Sequence, residues 1–275
     1  MTQQGFEDYV FTVFGHKAGT AKSYITAIRI IDKMLAYDDV FGLGGTSITC
    51  VNNPELLNRI VSFVCEQQTL YINGEPSIFR NIDPGQVSYP KKRFCSAAVK
   101  QLLHYQAFEL REAKADALVT TASAGSKVSS KLIEFFSIDK VGSDKLVETT
   151  VRIGQHYFRK MVLANYDNKC CITGLNVPQT LRASHIVAWK EDKKNRMNPE
   201  NGLCLSATYD AAFDRHLISF DEDYRMIISR EIKEYYTNQA TKDYFEKYEG
   251  SQINLPIKFL PSQKLLEKHR KLIVY

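Results

Sequence analysis

The chain has 275 residues, which is enough for one large domain or two smaller ones. Its composition, 44% hydrophobic and 24% charged, is typical of a soluble globular protein. No apolar run approaches the ~18 residues of a membrane span, which excludes an α-helical membrane protein. The N-terminal residues MTQQGFEDYV contain neither the basic nor the apolar region of a secretory signal. We therefore expect a cytoplasmic protein with no membrane partner.

The net charge of +5 is unevenly distributed. Residues 1–130 carry 13 Lys and Arg against 12 Asp and Glu, whereas residues 131–275 carry 23 against 19. This mild basic excess permits a nucleic-acid partner without requiring one. The six cysteines are too scattered for a disulfide framework. Cys170 and Cys171 are adjacent, whereas zinc sites use a C-x₂₋₄-C spacing, so we expect no structural zinc.

Residues 1–116 predict an all-α module. From Thr20 the apolar residues recur at the spacing of an amphipathic helix. A second helical stretch begins at about Pro54, and a third extends from Arg93 to about Ala113. Segments rich in glycine and proline separate these helices and mark loops.

The small and polar residues 117–130 predict a linker. Residues 131–275 predict a second domain, which begins with a helix from about Thr149 to Asn165. Within residues 181–216 the pattern indicates a short strand, a long charged loop, a second short strand and a short helix. The predicted fold class is α+β, with the helical module first.

The strand–loop–strand–helix unit contains the residues best suited to catalysis. Asp210 and Asp214 are four residues apart and share a helix face, and carboxylate oxygens suit Mg²⁺ or Mn²⁺. His185 is a natural general base at neutral pH. Hydrolysis of a phosphodiester needs both a base and a cation. The residues alone leave a structural alternative open: a half-buried histidine, a turn asparagine at Asn201 and two solvated helix charges.

A series of closely spaced sequence motifs covers residues 171–221. It contains CITG, ASHIVAW, RMNPENGLCL and DAAFDRHLISFD in this order. This run resembles the HNH endonucleases, specifically a restriction-type branch with ASHIxxW, NGLxL and DxxFD motifs. The preceding helix, with Arg152, Gln155, Phe158 and Arg159, and the tail LPIKFLPSQKLLEKHR are also similar to that branch. The resemblance implies a ββα-metal nuclease fold for this domain.

The resemblance also implies roles for individual residues. His185 would be the general base, and Asn201 would tie the two strands together and hold the histidine in place. Asp210 would bind Mg²⁺ or Mn²⁺. Asp214 would be a second ligand, a neighbour of the ligands or a helix-cap partner. Ser184 precedes the base where other members often have Asp or His, so the second protein ligand of the metal stays unassigned.

Basic residues flank the hairpin on both sides. They would contact DNA phosphates, or would only form a solvated charged loop, since acidic residues interrupt them. The sequence favours neither of these two interpretations. The candidates are Arg182, Lys190, Lys193, Lys194 and Arg196.

The sequence therefore predicts a metal-dependent endonuclease that acts on double-stranded DNA. The resemblance implies a bacterial protein of restriction or anti-phage defence, with a cognate methyltransferase or another defence partner. Cleavage of both strands would favour a homodimer. Two alternatives remain: a DNA-binding protein with an inactive nuclease domain, and a nuclease effector gated by a partner or signal. In the second, residues 1–116 would sense the signal instead of binding DNA.

Overall fold

A computed structural model describes residues 1–15, 19–136 and 144–274, without the side chains of 144–149. The chain divides into two compact units, Met1–Asp116 and Ala117–Tyr275. The first unit is helical in its described residues, and the second combines helices with two small antiparallel sheets. No helix in the described ranges is both long and apolar enough to cross a membrane.

The helices of the first unit follow the predicted apolar pattern. In chain order they are α1 (Gln3–Phe14), α2 (Gly19–Asp38), α3 (Pro54–Ile72), α4 (Ser88–Lys91) and α5 (Phe94–Thr121). Ile28 and Ile31 of α2 and Leu57 and Ile60 of α3 are buried in its core. The Asn53 side chain caps α3 by accepting hydrogen bonds from the first-turn N–H groups. The helical prediction for this part is confirmed.

The second unit contains the predicted strands and helix in the predicted order. Its elements are α6 (Gly125–Phe135), α7 (Asp144–Asn165), β1 (Leu181–His185), β2 (Gly202–Ser206), α8 (Ala207–Asp214), β3 (Ile218–Phe220), β4 (Met226–Ile228), α9 (Arg230–Lys233), α10 (Gln239–Tyr244) and α11 (Gln263–Arg270). Strands β1 and β2 pair antiparallel, as do β3 and β4. Together with the first unit, this is the mixed helix-and-sheet architecture expected from the sequence.

The segment 117–130, predicted to be a linker, is mostly helical. Its first residues complete α5, and α6 begins at Gly125. The Gly125 N–H donates to Glu200 Oε1 at 2.8 Å, and a side chain at this position would collide with Asn198 and Glu200. The Ser129 hydroxyl donates to the Lys194 carbonyl oxygen at 2.7 Å. The small residues therefore permit close packing against the loop between β1 and β2, whereas the sequence pattern suggested flexibility.

Helix α7 supports the β1–β2 hairpin from one side. The Arg159 guanidinium donates to the carbonyl oxygens of Leu181, at 2.8 Å, and Pro178, at 3.0 Å, and so holds the start of β1. At the other end, Gly202 faces His185 across the sheet. A Cβ atom at Gly202 would collide with Val162 of α7. The absence of a side chain here lets α7 approach the strand.

The C-terminal helix α11 closes the unit against β3 and the end of α8. Arg270 is mostly buried and donates to the Phe220 carbonyl oxygen at 2.9 Å. It also forms an ion pair with Glu222 at 2.7 Å. His269 stacks on Phe213 of α8, with ring centroids 3.8 Å apart and the planes within 2°. The tail is therefore part of the second folded unit.

Gly202→Ala should destabilise the protein by about 1–3 kcal/mol, because the new methyl group overpacks the contact with α7. A Cβ atom there would lie 3.0 Å from Phe158 Cζ and closer still to Val162. Urea unfolding measures the loss. The control is the double variant with Val162→Ala, which removes the obstructing methyl groups. It should lose less stability than the sum of the two single variants, and simple additivity would contradict the steric explanation.

Candidate active site

His185 ends β1, and contacts on three sides hold its ring. The ring stacks on Phe158 of α7, with centroids 3.8 Å apart and planes 13° apart. Trp189 meets the ring edge-on at 5.6 Å. The ring Nε2 lies 3.1 Å from the Arg196 carbonyl oxygen. Because a carbonyl oxygen can only accept, neutral His185 carries its proton on Nε2 and has a lone pair on Nδ1.

The environment of His185 keeps this ring neutral. Burial lowers the pKa of His185 to about 4, and the Arg196 carbonyl opposes the shift because it stabilises the protonated ring. Within the described part of the chain, that carbonyl is the only hydrogen-bond partner of the imidazole. At pH 7 the Nδ1 atom can therefore accept a proton, as a general base must.

Asn201 holds the loop between β1 and β2. Its side chain is fully buried, and its Oδ1 accepts from the Val187 N–H at 2.9 Å. Its Nδ2 donates to the carbonyl oxygens of Val187 and Asn195, both at 3.1 Å. Its backbone carbonyl accepts from the Ile186 N–H at 2.9 Å. Asn201 thus positions both the chain that follows His185 and the segment that leads to the Arg196 carbonyl.

The two arginines among the predicted DNA-binding residues make local contacts. Arg196 Nε donates to the Trp189 carbonyl oxygen at 2.8 Å, and its guanidinium lies 5.7 Å from the centre of that indole ring. Arg182 donates to the carbonyl oxygens of Gln179, at 3.3 Å, and Leu181, at 2.9 Å. The predicted residues whose side chains are exposed to solvent without such contacts in the described chain are Lys190, Lys193 and Lys194.

The two aspartates lie on α8, on the other side of β1 from Phe158. Ser184 is buried and donates to Asp210 Oδ1 at 2.7 Å. Asp214 lies one turn further on and is exposed. Although the residue is exposed, partial desolvation of its carboxylate, followed by the negative charge of Asp210, raises the pKa of Asp214. The two carboxylates are therefore close enough to repel each other, and a cation between them would relieve this repulsion.

The potential metal-ligand atoms around Asp210 suit a divalent cation that keeps several coordination positions open. They are all oxygens, from the carboxylates of Asp210 and Asp214 and the hydroxyl of Ser184. Mg²⁺ usually retains several waters and needs only one or two carboxylates together with substrate phosphate. Among residues 1–15, 19–136 and 144–274, no group of three or more His, Cys, Asp or Glu is arranged to hold a metal ion. The residues present fit Mg²⁺ or Mn²⁺ completed by water and phosphate.

The cysteines near the hairpin belong to its core. Cys170, Cys171 and Cys204 are buried. The Cys171 N–H donates to the Cys204 carbonyl oxygen at 2.8 Å, and Cys170 Sγ accepts from the Ser206 N–H at 3.3 Å. Burial raises the pKa of the Cys204 thiol to about 12, which disfavours the thiolate that zinc binds.

His185 and Asp214 line one cleft of about 460 Å³. The helix aspartate Asp210 is not among the described residues that line it, because its carboxylate is turned towards Ser184. The structure therefore brings the predicted base together with the second aspartate more directly than with the first. The other polar residues of the cleft wall are Glu191, Asp192, His216, Lys268 and His269.

Three of these cleft residues were missed as site residues from the sequence. His216 follows α8 and is half-buried in the cleft wall. Lys268 and His269 come from the C-terminal tail, more than 50 residues along the chain from α8, so no local pattern associates them with the site.

Comparison with known proteins finds a family match in the segment that contains the hairpin. Residues 170–221, which include β1, β2 and α8, match the family model described as HNH endonuclease. No curated protein matches the chain. The match covers 52 of the 275 residues. It supports an HNH-type domain in this segment and, in general terms, a nuclease of the hydrolase class, whose members generally use divalent metal ions.

Proposed function

We propose that the protein is a metal-dependent endonuclease that hydrolyses phosphodiester bonds in double-stranded DNA. The observation that carries this proposal is the shared cleft, in which a neutral histidine with a free Nδ1 lone pair lies with a helix carboxylate. The hairpin β1–β2 followed by α8 would be the ββα-metal unit. The family match over residues 170–221 supports the same chemistry independently of the geometry.

In this mechanism His185 Nδ1 takes a proton from the attacking water. The imidazolium that forms is stabilised by its Nε2–H hydrogen bond to the Arg196 carbonyl, and by the negative charge of the phosphate. Asn201 holds the loop that supplies this carbonyl, and so it orients the ring. Asp210 and Asp214 would hold the cation. When bound there, Mg²⁺ or Mn²⁺ would supply positive charge to stabilise the phosphate and the departing 3′ oxygen.

Three exposed lysines of the loop between the strands support a nucleic-acid substrate. Cationic side chains near a cleavage site neutralise phosphates and hold the duplex in a way that depends on salt concentration. These lysines are close in sequence to Trp189 and Arg196, which contact His185. DNA phosphates bound by the lysines would therefore lie near the cleft. The three residues are Lys190, Lys193 and Lys194.

We infer a role in restriction or anti-phage defence from the similarity of the motifs to the restriction-type branch. Because each chain would carry one active site, cleavage of both strands favours a homodimer. A cognate methyltransferase or another defence partner would protect host DNA or control the enzyme. In this scheme residues 1–116 bind DNA or receive the signal that activates cleavage.

The experiment that tests the proposal is cleavage of modified and unmodified phage and plasmid DNA with Mg²⁺ or Mn²⁺. We expect the wild-type protein to cut, and His185→Ala and excess EDTA each to abolish cutting, since one removes the base and the other the cation. Cleavage that persists in EDTA would contradict the metal mechanism. DNA binding without cleavage under any condition would favour a DNA-binding protein with an inactive nuclease domain.

Asn201→Ala should slow cleavage by roughly tenfold or more while DNA affinity stays near that of the wild type, because a misplaced base loses rate more than binding. The rate under saturating enzyme and the dissociation constant measure the two effects separately. Asn198→Ala is the control, since it also removes buried amide hydrogen bonds, to Glu200 and Asn195. Equal rates for both variants would show that Asn201 has no specific role in holding the histidine.

Asp210→Ala and Asp214→Ala should each raise the Mn²⁺ concentration needed for half-maximal cleavage, and high Mn²⁺ should restore part of the activity. The reason is that each variant removes one of two carboxylate ligands. Asp223→Ala, which removes an exposed carboxylate from the turn before β4, is the control for charge. A variant whose activity does not depend on Mn²⁺ concentration would remove that aspartate from the proposed ligand set.

A further inference from the structure

His216 follows α8 in an unusual backbone conformation. Its φ angle is +56°, in the left-handed region where glycine is normally favoured. Its N–H donates to the Phe213 carbonyl oxygen and the Leu217 N–H donates to the Ala212 carbonyl oxygen, both at 2.9 Å, so the turn closes the helix as a glycine would. A glycine would form the same turn without backbone strain, so the turn itself does not explain why a side chain is present. A side chain at a strained position is a reason to look for a function.

A hydrogen-bond chain sets the positions of the protons on two histidines. His269 is 3% exposed, and its Nδ1 lies 3.0 Å from the Ser219 hydroxyl. Its Nε2 lies 3.0 Å from the Phe213 carbonyl oxygen and 3.2 Å from His216 Nδ1. The carbonyl can only accept, so His269 carries its proton on Nε2 and accepts from Ser219 at Nδ1.

The same proton determines the state of His216. Because His269 Nε2–H faces His216 Nδ1, this Nδ1 acts as the acceptor, and neutral His216 carries its proton on Nε2. The stacking of His269 on Phe213 and its burial keep the pair in register. In the described part of the chain, no residue hydrogen-bonds to His216 Nε2. The Nε2–H group of His216 is therefore left to donate a hydrogen bond to a ligand.

The ring of His216 lines the same cleft as His185 and Asp214. Lys268, which precedes His269 on α11 and is exposed, lines it too. An N–H donor and an ammonium group that line one cleft are suited to an anion with several oxygen acceptors. The Nε2 of His216 carries a proton, so its lone pair is not available to a metal ion, and this argues for an anion over a cation as its ligand.

We propose that His216 is a substrate-binding residue whose Nε2–H donates to a non-bridging phosphate oxygen of the DNA backbone in the cleft, with Lys268 as the neighbouring charge. The inference rests on the proposed nuclease function and adds a phosphate contact formed by the end of α8 and the C-terminal tail. His269 and Ser219 act as positioning residues, because they hold His216 in the donor state without reaching the substrate.

The test uses His216→Gly in the full chain. Glycine relieves the left-handed backbone, so this variant should unfold at the same or a higher temperature than the wild type, and lost binding cannot be attributed to misfolding. Affinity is measured by fluorescence anisotropy with a short labelled DNA duplex in EDTA, and cleavage is measured with Mn²⁺. We expect the dissociation constant and KM to rise by roughly tenfold, as for a lost hydrogen bond to a charged group, with kcat changed less than twofold.

Two further variants separate a direct contact from a structural role. His216→Gln places an amide N–H₂ near the position of Nε2 and should restore most of the affinity. Lys268→Ala removes a charge and should reduce the slope of log Kd against log salt concentration by about one counterion. His216→Gly should change that slope less than Lys268→Ala does, since it removes a hydrogen-bond donor and leaves the ammonium charge in place.

The outcomes distinguish this inference from the proposed function. Wild-type affinity and KM in His216→Gly, in an enzyme that still cleaves DNA, would overturn the phosphate contact and leave the nuclease intact. Unchanged affinity with a raised Mn²⁺ requirement would also overturn it, because the histidine would then act through the metal. A wild-type protein that neither binds nor cleaves the duplex would overturn both proposals.

Discussion

The buried amide of Asn201 is the interaction on which the geometry of the candidate site depends. Its three side-chain hydrogen bonds join Val187, two residues after β1, and Asn195 in the loop to the start of β2. A buried amide without partners would cost about 1–3 kcal/mol per unsatisfied group, so the loop has one strongly favoured conformation. That conformation places the Arg196 carbonyl against His185 and so selects which ring nitrogen is free. Asn201 thereby determines which nitrogen of the proposed base His185 is free to accept a proton.

The alternation of side chains along β1 separates two tasks. Ser184 faces α8 and binds Asp210, whereas His185 faces α7 and stacks on Phe158. A shift of the strand by one residue would exchange these faces. The register is held by Arg159, which binds the carbonyl at the start of the strand, and by the close approach of α7 at Gly202. Packing of one helix against the hairpin therefore maintains the arrangement of the proposed base and the two carboxylates.

Much of this organisation could be predicted from local pattern. The apolar spacing in α2 and α3, the order of strands and helix around residues 181–216 and the pairing of two aspartates on one turn follow from periodicities of two and 3.6 residues. The linker prediction for 117–130 was wrong for most of the segment, since small residues signal either flexibility or tight packing. Only the contact of Gly125 with Asn198 and Glu200 decides between them.

The sequence by itself determined the secondary structure around the hairpin and identified His185, Asn201 and the two aspartates as the chemical candidates, because these depend on spacing within about thirty residues. Tertiary structure alone decided that Asp214 and not Asp210 shares the cleft with His185, and that His216 and His269 form a pair 53 residues apart in sequence. The physical reason is that hydrogen-bond direction and burial depend on how α8 and α11 pack. The spacing of residues in the sequence specifies which side chains share a face of a helix or strand. It does not specify which distant residues that face will contact.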